Sequence, residues 1–562
     1  MNLTFTRNLS GVAILMCALI ACQSGNPTPT PKPFKPTLRV ASENVAAGID
    51  VLVRSAYSVE PKLKPKPEPI WTQTSGPGVL EAIDPRNKIF RVFPSDPIKF
   101  STVKTQYNVG GQEYTNEVTL QTYQAPTMLP SAGAGLNAMT LIPYPVYTNF
   151  IGQSVFAGDQ VLFYNPEYDP VARQDRLKIR KYSRSGILDS AFASAGILSI
   201  PGTIDYQEEE LIGPVLVGQL GHFFVITRKK NVLKLYKYAL DGTPVVTFGT
   251  AGTATVTNPL ITSGSLYYLL DDLENILVYQ SVYKPNMTYD RSIRRLDGLT
   301  GNDDVSYGIN GVFQMPPSGE FIADGIDFSN GSLLIAGQYS DPGPVRSVGH
   351  GLLRVTNAGV LDPNFGLNGM AREPVNVEDA PLTNIGYWYG SKVLADGKIL
   401  AFGRSGLESS TLPSQPVFWD GALTVTRFLP NGQIDTEFGK AGSTSINVLG
   451  NKKLPPNYIK LFVTNNNIVL VQWHIPNFNA GGGTLERPVI VTLSKNGVIE
   501  KVNRLLYDPS QTDLTVAIRR DTSRVMDVQA LTDGSFLTVG PVCKLVPGAE
   551  CQPNIGFARF NP

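Results

Sequence analysis

The sequence has few of the residues from which catalytic and metal sites are usually built. Its 562 residues include only three histidines and four cysteines. No Gly-x-Ser-x-Gly nucleophile elbow, His-Glu-x-x-His pair or phosphate-binding glycine loop occurs in it. The histidines are His222, His350 and His474, and they are widely separated along the chain. These absences favour a protein that is not an enzyme, and we expect neither a metal nor a cofactor.

An excess of one charge and long apolar segments are also lacking. Lysine and arginine number 48 against 47 aspartates and glutamates, which gives a formal net charge of +1. Nucleic-acid binding normally requires a basic surface, so no nucleic-acid partner is expected. Beyond residue 22 no apolar run approaches the roughly 20 residues that a membrane-spanning helix needs. The chain does have 53 glycines, 43 prolines and short apolar stretches, a composition typical of all-β proteins.

The N-terminus has the features of an export signal. Arg7 precedes a short apolar run, and Leu19-Ile20-Ala21-Cys22 at its end resembles the bacterial lipobox. The resemblance implies a signal peptide over residues 1–21 and acylation of Cys22 by diacylglycerol and palmitate. Gln23 follows the lipidated residue, a pattern that favours the outer membrane or cell surface. The alternative is an ordinary secretory signal that contains a cysteine. Residues 22–36 are rich in proline, which predicts an extended linker.

Two cysteines lie near the other end of the chain. Cys543 and Cys551 are eight residues apart, and an exported protein meets oxidising conditions. We therefore predict a disulfide between them, with two free thiols as the alternative. A zinc site would need further ligands, and no histidine lies nearby in the sequence.

Residues 37–124 contain alternating apolar and polar segments, which predict a small β-sandwich. Within them, Ile70-Trp71-Thr72-Gln73-Thr74-Ser75-Gly76-Pro77 resembles a strand of polycystic-kidney-disease-type immunoglobulin-like domains. The resemblance implies an immunoglobulin-like fold in which Trp71 fills the space between two sheets. Residues 125–137 are interpreted as a linker.

From residue 138 to 562 one motif recurs: a cation and an apolar residue, then Gly-x-x-Asp-x-x-Phe-Gly. A clear copy contains Arg427, Gly432, Asp435 and Phe438. The motif resembles the delta-60 repeats of bacterial surface proteins, and this implies a seven-bladed β-propeller of four-stranded sheets. The last repeat ends before its fourth strand, so we expect residues 139–142 to supply it. The predicted fold is therefore all-β, an immunoglobulin-like sandwich followed by a seven-bladed propeller.

The repeats place their short turns at one end of the propeller and long, variable loops at the other. Long loops on a rigid scaffold commonly carry binding sites, whereas the short turns are rich in glycine, asparagine and aspartate. The predicted ligand site therefore lies on the variable side of blades 5 and 6. Its tentative members, some of which could equally belong to the core, are Trp388, Phe418, Trp419, Trp473 and His474.

The predicted function is that of a membrane-anchored protein of the cell envelope. Its partner is a glycan, an envelope polymer or a surface protein. Two alternatives stay open at this point: a secreted lyase or hydrolase that acts on polysaccharide, and a purely structural envelope component.

Overall fold

The structure is a computed structural model of the whole chain. It describes residues 34–40, 42–46, 50–58, 67–76, 78–82, 87–91, 100–124, 127–128, 140–143, 153–169, 174–201, 210–229, 232–257, 264–283, 289–316, 321–340, 348–373, 387–408, 419–448, 458–464, 467–473, 489–505, 527–531, 535–544 and 552–560. Over these residues the chain is all-β and contains no helix. No helix in this part of the chain could therefore cross a membrane.

The strands of the N-terminal part, and two short ones that follow, are β1 (Lys35–Arg39), β2 (Asn44–Ala46), β3 (Asp50–Ser58), β4 (Ile70–Ser75), β5 (Val79–Ala82), β6 (Asn87–Arg91), β7 (Phe100–Val109), β8 (Gln112–Tyr123), β9 (Thr127–Met128) and β10 (Thr140–Pro143). Four of them form a sheet of order β1-β3-β6-β5, and four others, in the order β2-β8-β7-β4, form one half of an eight-stranded sheet that continues into the propeller. Both sheets contribute to one apolar cluster, in which Val51 and Phe90 meet Val103 and Leu120. Trp71 packs against this cluster. The immunoglobulin-like assignment itself stays a prediction.

The remainder is a β-propeller whose blades are antiparallel four-stranded sheets. Blades 1 to 3 are formed by β11 (Gln153–Ala157), β12 (Gln160–Asp169), β13 (Gln174–Ser183), β14 (Ile197–Ser199), β15 (Glu210–Val217), β16 (His222–Lys229), β17 (Val232–Ala239), β18 (Thr253–Thr257), β19 (Gly264–Leu270), β20 (Ile276–Tyr283), β21 (Tyr289–Leu296) and β22 (Val312–Gln314). Blades 4 to 6 are formed by β23 (Phe321–Ser329), β24 (Ser332–Ser340), β25 (Val348–Val355), β26 (Met370–Glu373), β27 (Tyr387–Val393), β28 (Ile399–Glu408), β29 (Trp419–Phe428), β30 (Ser443–Asn447), β31 (Tyr458–Val463), β32 (Asn467–Trp473), β33 (Val489–Ser494) and β34 (Ile499–Leu505). Within each blade the strands are called a to d in chain order.

Six blades consist of four consecutive strands, so the prediction of seven is corrected to six. The last repeat provides only β35 (Asp527–Ala530), β36 (Phe536–Lys544) and β37 (Gln552–Phe560). A fourth strand comes from β10, which pairs antiparallel with β37 through Thr140 and Phe557. This composite sheet is thus discontinuous in sequence, with three strands from the last repeat and one from the segment before blade 1.

The composite sheet packs between the first and the sixth blade. Val161 and Phe163 of blade 1 share an apolar cluster with Val539 and Phe557. On the other side, residues of blade 6 such as Val471 share a cluster with Phe536, Ala558 and Phe560. The beginning and the end of the repeat region are therefore joined through one sheet.

The repeat motif forms a contact between neighbouring blades, which we call the inter-blade clamp. In blade 5, Arg427 is paired with Asp435 at 2.8 Å and lies 4.8 Å from the centroid of the Phe438 ring. The same guanidinium donates to the carbonyl of Lys495 in blade 6 at 2.6 Å. Equivalent clamps begin at Lys181, Arg295 and Arg354. The motif therefore has a structural role in every one of these blades.

The aromatic ring of the preceding blade lies close to the first glycine of the motif and leaves no room for a side chain there. Gly497 has a φ of 80°, and a Cβ atom there would lie 2.8 Å from Phe438 Cζ. Gly432 meets Phe365 in the same way, with a Cε2 distance of 3.0 Å. A side chain at either position would push the blades apart, so the glycine and the aromatic residue are needed together.

The N-terminal sheets are attached to the rim of the propeller. β2 pairs in parallel with β30, the outer strand of blade 5, through Val45 and Asn447. The Ser42 hydroxyl and the Asn44 amide both donate to the carbonyl of Ser445, each at 2.9 Å. β9, inside the predicted linker, pairs in parallel with β34, the outer strand of blade 6. Two outer strand edges of the propeller are thus covered by the chain itself.

We predict that the inter-blade clamp contributes strongly to stability. Arg427→Ala removes the guanidinium from a pair in which both side chains are nearly fully buried. We expect a loss of about 3 kcal/mol in the free energy of unfolding, the low end for a broken buried pair, because Lys398 still neutralises Asp435.

Thermal denaturation would measure this loss. Arg184→Ala serves as a matched control, since Arg184 pairs with Asp159, whose side chain is 85% exposed, and surface pairs are worth about 0–1 kcal/mol. Equal changes in melting temperature for the two variants would contradict the structural role of the clamp.

Candidate binding surface

The structure describes the side chain of only one residue of the predicted ligand site. Phe418 and His474 lie outside the described residues, as does Cys22. Trp419 was expected in a loop, but it begins β29 and is in register with Glu408. Trp473 ends β32 in register with Tyr458. For both tryptophans the backbone alone is described. The grouping of these five residues as a site therefore stays a prediction.

Trp388 belongs to the core between blades 4 and 5. Its side chain is fully buried, and its ring stacks on His350 with centroids 5.2 Å apart. It also meets Phe428 edge to face. Because no face of the indole is open to a ligand, the tentative ligand-binding role of Trp388 is not supported, and the core alternative describes its position.

His350 and Glu373 form a polar cluster at the same interface. His350 Nδ1 donates to Glu373 Oε2 at 2.8 Å, while Oε1 accepts from the hydroxyls of Ser443 and Thr426 at 3.1 and 3.2 Å. Burial by itself would raise the pKa of Glu373. The hydrogen bond and charge of His350, together with the two hydroxyls, hold that pKa below its usual range. The cluster links strands of blade 4 to strands of blade 5.

The predicted disulfide is not tested by the structure. Cys551 lies outside the described residues, and the backbone alone is described for Cys543, which is in register with Pro553. The described side chains include no disulfide. Cross-linking of the two cysteines stays a prediction.

Among the described residues, several exposed apolar side chains lie on the short turns at the end of the propeller opposite the predicted site. The a–b and c–d turns of blades 2 to 4 carry eight aliphatic side chains that are 51–79% exposed: Leu220, Val246, Leu273, Leu299, Val305, Ile309, Val360 and Leu367. These turns were expected to be dominated by glycine, asparagine and aspartate. We call the turns 218–221, 240–252, 271–275, 297–311, 329–331 and 356–369 together the apolar turn surface.

Hydrogen bonds between blades hold the parts of this surface together. The Lys237 ammonium of blade 2 donates to the carbonyl of Gly298 in blade 3 at 2.9 Å. The Gly308 amide of blade 3 donates to Ala358 in blade 4 at 2.8 Å. The a–b turns are joined as well, since the Gly331 amide donates to Asp272. The turns that carry the exposed aliphatic residues are therefore connected to one another from blade 2 to blade 4.

The turns between blades 2 and 3 also account for one histidine. His222 Nδ1 donates to Glu274 Oε2 at 2.8 Å, and Lys237 pairs with the same carboxylate at 3.2 Å. Blade 2 has Val245 where the motif has aspartate, so Glu274 takes the place of the missing partner. The two described histidines, His222 and His350, are thus both used in contacts between blades.

The paired acids of blade 3 have structural partners too. Asp303 pairs with Arg294, and Asp304 with Arg295. Asp271 accepts from the backbone of Leu273 and Asn275 in its own turn. Among the described residues no group of acids, histidines and cysteines is arranged to hold a metal ion.

The apolar turn surface can be recognised in the sequence at motif positions that vary between repeats. Val360 follows the first motif glycine, whereas Ile309 and Leu367 follow the second. These variable motif positions hold branched aliphatic residues where a solvated turn needs none.

Comparison with known proteins identifies no family. Neither a family model nor a curated protein matches the chain. Similar solved structures include the β-propeller domain of the Trilobed protease from Pyrococcus furiosus, with 7% identity over 73% of this chain and 93% of that chain, at a TM-score of 0.35. An α-L-arabinofuranosidase from Fusarium graminearum has 11% identity over 62% and 96%, at a TM-score of 0.33. An ulvan lyase has 11% identity over 77% and 94%, at a TM-score of 0.33. Such distant similarity bears on no substrate or activity.

We predict that the stabilising effect of Glu373 depends on pH. A carboxyl group whose pKa is lowered by folding stabilises the folded state above its ordinary pKa, and this stabilisation is lost as the pH falls through the folded value. Relative to Glu373→Gln, the native protein should melt at a higher temperature above about pH 5.

The difference in melting temperature should shrink as the pH is lowered below the ordinary pKa of 4.5. Melting curves of both proteins over a pH series would measure it. A difference that stays constant down to strongly acidic pH would show that the hydroxyls and His350 do not stabilise the ionised carboxylate.

Proposed function

We propose that this protein is a lipid-anchored β-propeller of the bacterial cell envelope that binds a protein partner through the apolar turn surface. The observation that carries the proposal is the group of exposed aliphatic residues on the turns of blades 2 to 4. Soluble monomers seldom expose contiguous apolar surface without a use for it, and such patches commonly mark interaction sites.

The chemistry of the surface favours a protein over a glycan. Sugar rings pack well against flat aromatic side chains that also carry a polar edge. The exposed large side chains of these turns, as far as they are described, are leucine, isoleucine and valine, with no aromatic residue. Branched aliphatic surfaces are complementary to other apolar side chains, which favours a protein partner. An aromatic site on the variable side of blades 5 and 6, with Trp419, Trp473, His474 and Phe418, stays a prediction.

Lipid anchoring through Cys22 would place the apolar turn surface in the cell envelope. The lipobox and the proline-rich linker support export and acylation. The N-terminal sheets follow the linker directly; β2 is paired to the rim of blade 5, and β9, which follows these sheets, is paired to the rim of blade 6. The pairing of β10 with β37 joins the beginning of the repeat region to its end. An anchored, closed propeller would hold its turns at a defined orientation.

The alternative of a polysaccharide lyase or hydrolase has less support. A general acid or base must reach its substrate, and the His350 side chain is only 9% exposed. His222 is held by Glu274 next to Lys237. Both described histidines thus have structural partners in contacts between blades.

We predict that the anchor depends on Cys22. Cys22→Ala removes the thiol that the acyl group requires, so labelling with a clickable palmitate analogue should disappear. The protein should then leave the membrane fraction after cell lysis. Cys17→Ala, which changes a cysteine in the predicted signal peptide, serves as the control and should leave labelling intact. Full membrane retention of Cys22→Ala would rule out lipid anchoring.

We predict that the partner touches the apolar turn surface in living cells. A photoreactive residue in place of Ile309 or Leu367 should form a cross-link to one protein. A photoreactive residue in place of Ile70, which is also exposed but lies on the N-terminal sheets, is the matched control. Leu299→Ser should weaken the cross-link from Leu367, since both residues lie on the same surface. Equal cross-linking from Ile70, or none from the turns, would contradict the proposal.

A further inference from the structure

We infer that the partner presents a protein surface on which lysine and arginine side chains surround aliphatic ones. This inference rests on the proposed function, because it concerns the same apolar turn surface. It adds the charge of the partner, which follows from the acidic residues among the exposed leucines, isoleucines and valines.

The turns that form this surface contain acids but no basic side chain other than the adjacent His222. The sequence over them includes eight acidic residues and neither lysine nor arginine. The acids are Asp241, Asp271, Asp272, Glu274, Asp297, Asp303, Asp304 and Asp362. Chance alone does not favour this composition, since the whole chain has 48 basic residues against 47 acidic ones.

Several of these acids are neutralised by cations that come from the adjoining strands. Lys237 pairs with Glu274, Arg294 with Asp303, Arg295 with Asp304 and Arg354 with Asp362. Arg295 also lies 4.0 Å from Asp271. The guanidinium and ammonium groups of these clamps are directed into the blade interfaces, so they offer little positive charge to a partner.

Three further aspartates of this surface accept hydrogen bonds from uncharged groups. Asp241 accepts from Thr243, Asp272 from the Gly331 amide, and Asp297 from the backbone of Leu299 and Thr300. These partners are neutral groups of the turns. Hydrogen bonds from Thr243 hold the pKa of Asp241 below its usual range. The aliphatic side chains are thus accompanied by carboxylates that accept hydrogen bonds from uncharged groups of the turns.

The negative charge of the apolar turn surface favours some binding partners over others. Nucleic acids and anionic lipid surfaces would be repelled. A second copy that docks through the same face would bring acid against acid, which is unfavourable when the charges are desolvated. A protein surface with cations around an apolar centre complements both features.

Binding of model peptides to the full-length protein in nanodiscs of phosphatidylcholine would test the inference. The probes are three fluorescent peptides of equal length, composed of leucine and lysine, leucine and glutamate, or serine and lysine. Fluorescence anisotropy gives the affinities, and empty nanodiscs give the background. We expect the leucine–lysine peptide to bind at least about tenfold more tightly than either of the others.

Two sets of variants separate charge from apolar contact. The triple variant Asp241→Asn, Asp272→Asn and Asp297→Asn keeps an oxygen for each turn but removes the charges. The triple variant should lower the affinity for the leucine–lysine peptide by about threefold to tenfold, as expected for the loss of exposed charge pairs. Asp396→Asn in blade 5 is the control, since Asp396 also accepts from its own turn, at Lys398, and should change nothing. Leu299→Ser with Ile309→Ser should remove most of the binding.

The outcomes distinguish this inference from the proposed function. If both leucine peptides bind equally and the serine variant alone weakens them, the surface binds proteins but does not select charge, and the inference is wrong. If none of the three peptides responds to any variant, the proposed function fails as well. Flotation of Cys22→Ala protein with phosphatidylglycerol vesicles, lost on Leu299→Ser with Ile309→Ser, would identify a membrane as the occupant and overturn both.

Discussion

The inter-blade clamp is the contact on which the propeller depends. In the described strands, no strand of one four-stranded blade pairs with a strand of the next blade, so strand pairing alone does not connect neighbouring blades. The clamp does so with a cation that meets an aspartate and an aromatic ring of its own blade and a carbonyl of the next. The carbonyl can come close because the next motif begins with glycine, which leaves room for the ring. The spacing between the residues of the motif therefore reflects contacts in two neighbouring blades rather than within a single blade.

This origin explains why the repeated fold could be predicted from the sequence. The residues that recur are those that the clamp requires, and the expected pairing of residues 139–142 with the last repeat agrees with the pairing of β10 and β37. The prediction is less complete where a contact uses a residue outside the motif. Blade 2 lacks the aspartate, and Glu274 replaces it from a turn of blade 3 whose sequence has no counterpart elsewhere. Attachment of β2 to β30 was likewise not predicted, because its backbone pairing and its hydrogen bonds to the Ser445 carbonyl involve no residue of the motif.

The candidate site could not be predicted by ranking residues by size and aromaticity. Trp388 was a tentative surface residue, yet it fills the interface between blades 4 and 5 beside His350 and Phe428. Leu299 and Ile309 are smaller and are usually core residues, yet they are among the most exposed side chains described. Whether these side chains are buried depends on their position in the blade. A strand within a blade faces the neighbouring blade, whereas the turns project beyond the sheets.

The clamp also explains how aliphatic side chains can stay exposed on these turns. A flexible loop would fold back and cover them, but each c–d turn is fixed by a cation of the preceding blade and by backbone bonds such as Gly308 to Ala358. The turns therefore cannot rearrange without breaking contacts between blades. A surface that is already ordered loses little conformational entropy when it binds. The same residues that close one blade onto the next thus prepare the turns for a partner, and this is why structural repeats and a binding surface share one end of the propeller.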